Sequence, residues 1–319
     1  MISVLHGGTF TTVQDRGRWG YRAFGMPVAG AMDRFAFTAA NLLVGNDRNA
    51  AVLEAVFQGP RLSFNCDNLV SLCGATAAVT LDGKPMPCWS SFFVSSRSEV
   101  RIGRAQQGLR LYLALRGGLE VPVVMGSRST YARGALGGHE GRALIPGDRL
   151  FLGSLVKGAA APSVLLPDLV PPIPEVKTVR ALAGPHEASF TDEALQTFFS
   201  EPYEVSSASD RMGYRLRGPR LAHKNGADII SEPSSIGSVQ VPGDGMPIIL
   251  MADCQTTGGY TKIATVIGAD LRIIAQAAPG DTIRFLQCSE EEAVAALREE
   301  QEAYDEIEHL LSGGTPHGN

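Results

Sequence analysis

The chain has 319 residues, enough for one or two domains, and its content of 44% hydrophobic and 19% charged residues is typical of a globular protein. Its net charge of −5 disfavours a broad nucleic-acid interface, because such an interface requires a basic face. The five cysteines include no C-x-x-C pair and the six histidines show no metal-ligand spacing, so a disulfide framework and a metal site are both disfavoured.

The first half of the chain is predicted to consist mainly of short strands. Residues 2–5 alternate ahead of a Gly-Gly turn and lack the basic and long apolar segments of a signal peptide, so we expect a cytoplasmic protein. Apolar residues at helical spacing predict a helix over residues 31–44. Further strands are predicted at residues 51–57, 61–64, 69–72, 77–81, 92–95, 100–102, 109–115 and 149–152. Strands at such close spacing favour a sandwich or closed barrel over a parallel α/β sheet.

The second half follows a stretch rich in Pro and Ala, a composition typical of linkers. Strands are predicted at residues 178–182, 248–251, 262–267, 271–275 and 282–286, and a short helix at 190–199. An S-x-x-E capping box at Ser289 predicts a C-terminal helix. We therefore expect a first domain at residues 1–160, a linker at 161–176, a second domain at 177–288, and a C-terminal helix and tail at 289–319.

Three short patterns recur in the same order in the two halves. The matched pairs are Asp15-Arg16 and Asp210-Arg211, each followed by Gly-x-Arg; Leu53-Glu54 and Ser231-Glu232, each followed five residues later by Gly; and Pro146-Gly147-Asp148 and Pro279-Gly280-Asp281, each followed by Phe. Three matches in order predict a duplicated, β-barrel-like domain.

Polar side chains are concentrated between residues 209 and 262, where we expect the ligand site. Arg211 and Arg215 offer planar forks for a carboxylate or phosphate, and Asp210 is expected to brace them. An Asp–Arg pair that only braces a turn is the structural alternative. The same two interpretations apply to the arginine-rich segment 15–22 of the first half.

A second group of polar residues follows an apolar strand. Asp253, Gln255 and Thr257 precede two glycines that allow close backbone approach, a combination that suits a polar ligand, although a plain β-turn is the alternative. We predict that these three residues position a reacting amide or water. Substrate binding is assigned to Asp210, Arg211, Arg215, Gln240, Tyr260 and Lys262. A surface position for Gln240 and a solvated position for Lys262 remain open.

The longest motifs resemble those of the biotin-dependent carboxyltransferase family. They are QDRGR at 14–18, the segment 25–33, ANLLVGN at 40–46, SDRMGYRL at 209–216, the segment 240–247 and QTTGGY at 255–260. The family includes allophanate hydrolase subunit 2, KipA-type proteins, the C subunit of bacterial 5-oxoprolinase and the carboxyltransferase domain of urea carboxylase. The resemblance implies a mainly β fold of two tandem cyclophilin-like β-barrel domains, with a few short helices and a C-terminal helix.

Among these members, the C subunit of 5-oxoprolinase fits a chain of this length without a biotinyl-lysine motif. That resemblance implies ATP-dependent hydrolysis of 5-oxo-L-proline to L-glutamate, in a heteromeric complex with a KipI-type subunit and a LamB/YcsF-type subunit. ATP is then a co-substrate whose location is open, the chain is expected to be inactive without its partners, and the sequence does not require biotin. Two alternatives are biotin-dependent carboxyl transfer to urea or a related amide, and a KipA-type regulator that binds a KipI-type kinase inhibitor.

Overall fold

The structure, a computed structural model, describes residues 1–154 and 160–314. Strand residues (37%) outnumber helical residues (20%), which confirms the predicted mainly β fold. Two compact units are present: the first contains Met1–Arg18, Ala29–Pro172 and the described part of Gln301–Asn319, and the second contains Trp19–Val28 and Ile173–Glu300. The predicted domain limits stay a prediction, and residues 155–159 and 315–319 of the predicted first domain and tail lie outside the described residues.

Ten strands of the first unit form one antiparallel sheet that curves into a nearly closed barrel. In chain order they are β1 (Ile2–His6), β2 (Phe10–Gln14), β3 (Val52–Val56), β4 (Arg61–Phe64), β5 (Asn68–Leu81), β6 (Lys84–Met86), β7 (Ser90–Val94), β8 (Glu99–Leu115), β9 (Leu119–Glu120) and β10 (Arg149–Leu152). The main strand order is β2-β3-β8-β4-β1-β10-β9, and β5 pairs with β6, β7 and β8. Alternate side chains of these strands supply the apolar core of this unit.

The helix predicted at residues 31–44 is confirmed as α1 (Arg34–Leu43). It begins at Asp33, whose carboxylate accepts a hydrogen bond from the backbone N–H of Ala36 at 3.0 Å. Nearly every residue of α1 is buried, because the helix packs against β5 and β8 in a second apolar cluster. That cluster also takes in Trp89, Tyr112 and Ile307.

Seven strands of the second unit close a barrel, and two more form a separate two-stranded antiparallel sheet. The barrel strands are β11 (Lys177–Ala183), β12 (Tyr203–Val205), β13 (Gly213–Arg217), β15 (Ser238–Gln240), β16 (Ile248–Leu250), β18 (Lys262–Val266) and β19 (Thr282–Gln287). The two-stranded sheet consists of β14 (Asp228–Pro233) and β17 (Thr257–Tyr260). The order around the barrel is β11-β18-β15-β16-β13-β12-β19. All pairings are antiparallel except that of β11 with β19. The predicted fold of two tandem barrels is thereby confirmed.

Within residues 1–154 and 160–314, three further α-helices complete the fold. Helix α2 (Asp192–Ser200) is capped by Thr191 and stacks Phe198 on Phe285 of β19, with ring centroids 4.3 Å apart. Helix α4 (Glu290–Leu311) is the predicted C-terminal helix. Among the described residues, no helix combines the length and the apolar character that crossing a membrane requires.

The strand predicted at residues 271–275 was wrong, because this segment is the short helix α3 (Leu271–Ala275). Five apolar and β-branched residues fit either state, since a run this short has no readable period. Tertiary contacts therefore determine that this segment is helical. Asp270, just before it, binds the Arg180 guanidinium at 2.7 and 3.0 Å, while Ile274 and Ala275 turn one face inward.

Candidate functional site

The polar residues singled out between 209 and 262 belong to the second unit. Strands β13, β16, β15 and β18 are successive neighbours in its barrel. Gln240 of β15 lies opposite Lys262 of β18, and Glu232 of β14 lies opposite Gly258 of β17. Strand pairing therefore brings together residues that are well separated in sequence.

Arg211 and Asp253 form a buried, bidentate ion pair. Arg211 Nε donates to Asp253 Oδ2 at 3.0 Å and Nη2 donates to Oδ1 at 2.9 Å. The backbone N–H of Asp253 also donates to the carbonyl of Arg211 at 2.9 Å. The pair occupies both carboxylate oxygens, an arrangement that fixes the chain just after β16. Catalysis by Asp253 stays a prediction, and its geometry favours a positioning role.

Asp210 and Arg215 lie in surroundings that differ from those of the buried ion pair. Asp210 Oδ1 accepts hydrogen bonds from the backbone N–H groups of Met212 at 2.8 Å and Gly213 at 3.1 Å, so its carboxylate caps the turn that leads into β13. The Arg215 side chain is exposed, because it alternates along β13 with the buried Tyr214 and Leu216. Arg215 is thus available to a ligand or partner at the outer face of the strand.

Gln240 is buried in the barrel wall, with 2% of its surface exposed. Its Oε1 accepts a hydrogen bond from Gln255 Nε2 at 3.3 Å, which leaves its Nε2 facing Gly258. Among the described residues, Gln240 Nε2 has no hydrogen-bond partner, and neither does the buried Ser234 Oγ. A buried polar group without a partner costs about 1–3 kcal/mol, so such groups call for an explanation.

Arg22 reaches the same region from the segment Trp19–Val28 of the second unit. Its Nη2 donates to the backbone carbonyl of Ser234, while its buried Nη1 lacks a partner among the described residues. Arg22 also lies beside Cys254. Burial raises the pKa of the Cys254 thiol and Arg22 opposes that rise, so this cysteine is not a thiolate nucleophile at neutral pH.

Lys262, Glu232 and His186 lie together and contact one another. Of the three, only Lys262 was predicted from the sequence as a site residue. The Lys262 ammonium, 4% exposed, donates to Glu232 Oε1 at 2.5 Å. This hydrogen bond lowers the pKa of Glu232 and outweighs the opposing effect of burial. His186 Nδ1 accepts from the backbone N–H of Lys262 at 3.2 Å, so a neutral ring carries its proton on Nε2, 3.5 Å from Glu232 Oε1. The group thus brings an ammonium, a carboxylate and an imidazole together beside the sheet of β14 and β17.

Thr257 and Tyr260 stand at the two ends of β17. Thr257 pairs with Pro233 and Tyr260 pairs with Asp228. Both side chains are exposed, Tyr260 by 41%. Their hydroxyls are therefore accessible from solvent, and the roles predicted for them stay predictions.

Asp15, in the first unit, braces a loop through serine hydroxyls and backbone N–H groups. Its Oδ1 accepts from the hydroxyls of Ser127 at 2.7 Å and Ser129 at 2.5 Å, and from the backbone N–H of Gly17 at 2.8 Å. Its Oδ2 accepts from the backbone N–H of Arg128 at 2.6 Å. The carboxylate thus ties the end of β2 to the glycine-rich loop after β9.

Sequence reasoning did not single out Ser234, Glu232 or His186 as site residues. Glu232 was noticed only as a marker of the repeat, and Ser234 and His186 carry no local motif. Lys262 and Gln240 could be identified because their polarity stands out in an apolar strand. Within residues 1–154 and 160–314, no group of three His, Cys, Asp or Glu side chains is arranged to hold a metal ion.

Comparison with known proteins places these features in a family. The model of the carboxyltransferase domain, subdomains A and B, matches residues 24–287. The Escherichia coli 5-oxoprolinase C subunit is 39% identical over 96% of this chain and 97% of its own length. The Haemophilus influenzae protein of the same name is 39% identical over 98% and 99%. Saccharomyces cerevisiae urea amidolyase is 36% identical over 94% of this chain, which spans 17% of that protein.

Solved structures agree with the sequence comparison. The Kluyveromyces lactis urea carboxylase superposes with a TM-score of 0.93 and 31% identity over 99% of this chain and 30% of its own. A protein designated TTHA0988 superposes with a TM-score of 0.81 and 35% identity over 89% of this chain and 55% of its own. This chain therefore spans about half or less of those structures. The predicted resemblance is confirmed, and the chain belongs to the carboxyltransferase domain family of subdomains A and B.

Proposed function

We propose that the chain is the C subunit of an ATP-dependent 5-oxoprolinase, which hydrolyses 5-oxo-L-proline to L-glutamate together with a KipI-type subunit and a LamB/YcsF-type subunit. The observation that carries the proposal is the end-to-end match to two proteins named as 5-oxoprolinase C subunits, at 39% identity over 97% and 99% of their lengths. The similarity to urea amidolyase is confined to 17% of that protein. The relatives' name describes one of several subunits, which supports a heteromeric complex.

The proposed reaction requires activation of a stable lactam. ATP transfers its γ-phosphoryl group to the lactam oxygen and leaves as ADP. One water then adds to the carbonyl carbon with loss of a proton, and the ring C–N bond breaks as the nitrogen takes up a proton, which gives an acyl phosphate. A second water hydrolyses this acyl phosphate to the glutamate carboxylate and inorganic phosphate. In this scheme Gln255 and Thr257 position the reacting amide or water, while the bidentate Arg211 holds Asp253 in place. Lys262, Glu232 and His186 supply a route for a proton. ATP binding is assigned to no residue of this chain.

The test is co-expression with candidate KipI-type and LamB/YcsF-type subunits and a coupled assay for glutamate formed from 5-oxo-L-proline. We expect glutamate formation that depends on ATP and on all three chains. Thr257→Val, which removes an exposed hydroxyl at constant size, is expected to lower kcat/KM at least tenfold. Thr178→Val, at an exposed position of β11, is the matched control and should retain activity. A complex that assembles but forms no glutamate would contradict the proposal.

A second candidate function is carboxyl transfer to urea or a related amide. It is favoured by 36% identity to a urea amidolyase and by the TM-score of 0.93 to a urea carboxylase. Biotin would be the carboxyl carrier. The buried Ser234 Oγ and Gln240 Nε2 fit a carbonyl or carboxylate oxygen, a fit that does not distinguish biotin from 5-oxo-L-proline. Consumption of carboxybiotin in the presence of urea would favour this candidate; under the first proposal none is expected.

A further inference from the structure

Besides the Tyr203 hydroxyl, three polar atoms of the second unit are buried and lack hydrogen-bond partners among the described residues. They are Arg22 Nη1, Ser234 Oγ and Gln240 Nε2. Gln240 and Ser234 are 2% and 4% exposed, so water does not readily satisfy them. Buried polar groups in native proteins are nearly always paired, and a cluster of unpaired ones points to a ligand that completes the pairing.

Gly258 lies where these groups come together. A methyl group on its Cα would lie 2.4 Å from Gln240 Nε2 and 2.9 Å from Ser234 Oγ, too close for either contact. Arg22 is joined to the same place, because its Nη2 donates to the carbonyl of Ser234. Only a residue without a side chain fits here, so Gly258 allows the Gln240 amide and the Ser234 hydroxyl to approach its backbone closely.

The charge of these groups determines which kind of ligand they can bind. Arg22 brings a positive charge, and the nearby carboxylates have partners of their own: Asp253 binds Arg211 and Glu232 binds Lys262. The Gln240 amide presents its donor end, because Gln255 donates to the acceptor end. A guanidinium with two neutral donors matches the oxygens of a carboxylate, since charge-assisted hydrogen bonds are the strongest available there.

We propose that Arg22, Ser234 and Gln240 form a carboxylate-binding subsite around Gly258. Under the proposed function, on which this assignment of the ligand rests, the bound group is the carboxylate of 5-oxo-L-proline. That carboxylate is the permanent charge of the substrate and lies away from the lactam bond that is cleaved. The subsite therefore orients the ring without taking part in the chemistry.

The experiment measures binding of 5-oxo-L-proline and of its uncharged carboxamide to the full chain by isothermal titration calorimetry. We expect the acid to bind at least tenfold more tightly than the carboxamide. Gly258→Ala should weaken binding of the acid at least tenfold. Gly259→Ala is the matched control, because a methyl group there would lie 3.4 Å from the carbonyl of Ile229 and 3.6 Å from Ser231 Oγ, at ordinary contact distance. Neither glycine has a positive φ, so neither variant places a side chain in the left-handed region.

Gln240→Leu provides a second route if Gly258→Ala unfolds, as judged by its melting temperature. This variant keeps the shape and removes the donor, and it should also weaken binding of the acid tenfold while leaving the weak binding of the carboxamide unchanged. Equal affinity for acid and carboxamide, equal effects of Gly258→Ala and Gly259→Ala, or no binding of the acid by the wild-type chain would each overturn the proposal. Failure of the proposed function gives a different result from failure of the subsite proposal. In that case the acid binds through the subsite, but the complete complex forms no glutamate.

Discussion

Arg211 and Asp253 face each other with both carboxylate oxygens bound, and their side chains are only 10% and 7% exposed. Removing one partner leaves the other charge buried, at a cost of about 3–5 kcal/mol. Arg211→Met is therefore expected to lower the free energy of unfolding by about that amount in urea denaturation. The double variant with Asp253→Leu should recover part of the loss. Arg215→Met, on the exposed face of β13, should change stability by about 0.5 kcal/mol or less, and equal effects of the two arginine variants would contradict the prediction.

Because of the Lys262–Glu232 ion pair, we expect the free energy of unfolding to depend on pH. The pKa of Glu232 in the folded chain lies below the unfolded value of 4.5, so the interaction stabilises above that pH and is lost as the pH falls through the folded pKa. The stability difference between wild type and Glu232→Gln should be constant near neutral pH and shrink in acid. The effect is screened because Glu232 is 39% exposed. Lys262→Met should abolish the pH dependence assigned to Glu232; if the dependence persists, another group causes it.

Asp148, in the first unit, is expected to cause a second loss of stability as the pH falls. Arg142 donates to both of its oxygens, at 2.7 and 2.9 Å, and these hydrogen bonds lower its pKa from 3.8 to about 2. The difference corresponds to about 2 kcal/mol of stability, present above pH 3.8 and lost as the pH falls through 2. Asp148→Asn should remove it, as measured by urea unfolding between pH 6 and pH 2. A stability difference that does not change over this range would count against the ion pair.

Local turn chemistry was predictable from the sequence. Both copies of Pro-Gly-Asp form the same turn: Asp148 Oδ2 accepts from the backbone N–H of Ile145 at 2.9 Å, and Asp281 Oδ2 accepts from that of Ala278 at 2.8 Å. The glycines of both turns have positive φ, 97° and 91°. The turns repeat because their residue types are sufficient to form them, whatever the surroundings.

The other two matched patterns did not predict equal environments. Glu54 is buried and accepts from the Tyr112 hydroxyl at 2.8 Å, whereas its counterpart Glu232 is half-exposed and binds Lys262. Asp15 is saturated by a distant loop, whereas Asp210 caps its own turn. Each of these carboxylates takes its partners from the tertiary fold, which a short motif does not encode.

Strand continuity was also hidden from the sequence. The runs predicted at residues 69–72 and 77–81 are one strand, β5, and those at 100–102 and 109–115 are one strand, β8. Glycines inside them resemble turns, but the register shifts near Gly74 show that the chain bulges and continues. Prediction of the site is limited in the same way. The hydrogen bond between His186 and Lys262 joins residues 76 positions apart, and no local pattern specifies such a contact.

The capping box of α4 predicts that substitutions of its two residues have non-additive effects on stability. Ser289 Oγ accepts from the backbone N–H of Glu292 at 3.2 Å, and the Glu292 carboxylate accepts from the backbone N–H of Ser289 at 2.7 Å. Ser289→Ala is expected to cost about 1 kcal/mol, seen as a lower melting temperature. Glu292→Ala should cost about as much, and the double variant should cost less than the sum, because each side chain holds the other's backbone in place. Glu302→Gln, at an exposed mid-helix position, is the control and should leave the melting temperature unchanged; full additivity of the two capping variants would mean that the two hydrogen bonds act independently.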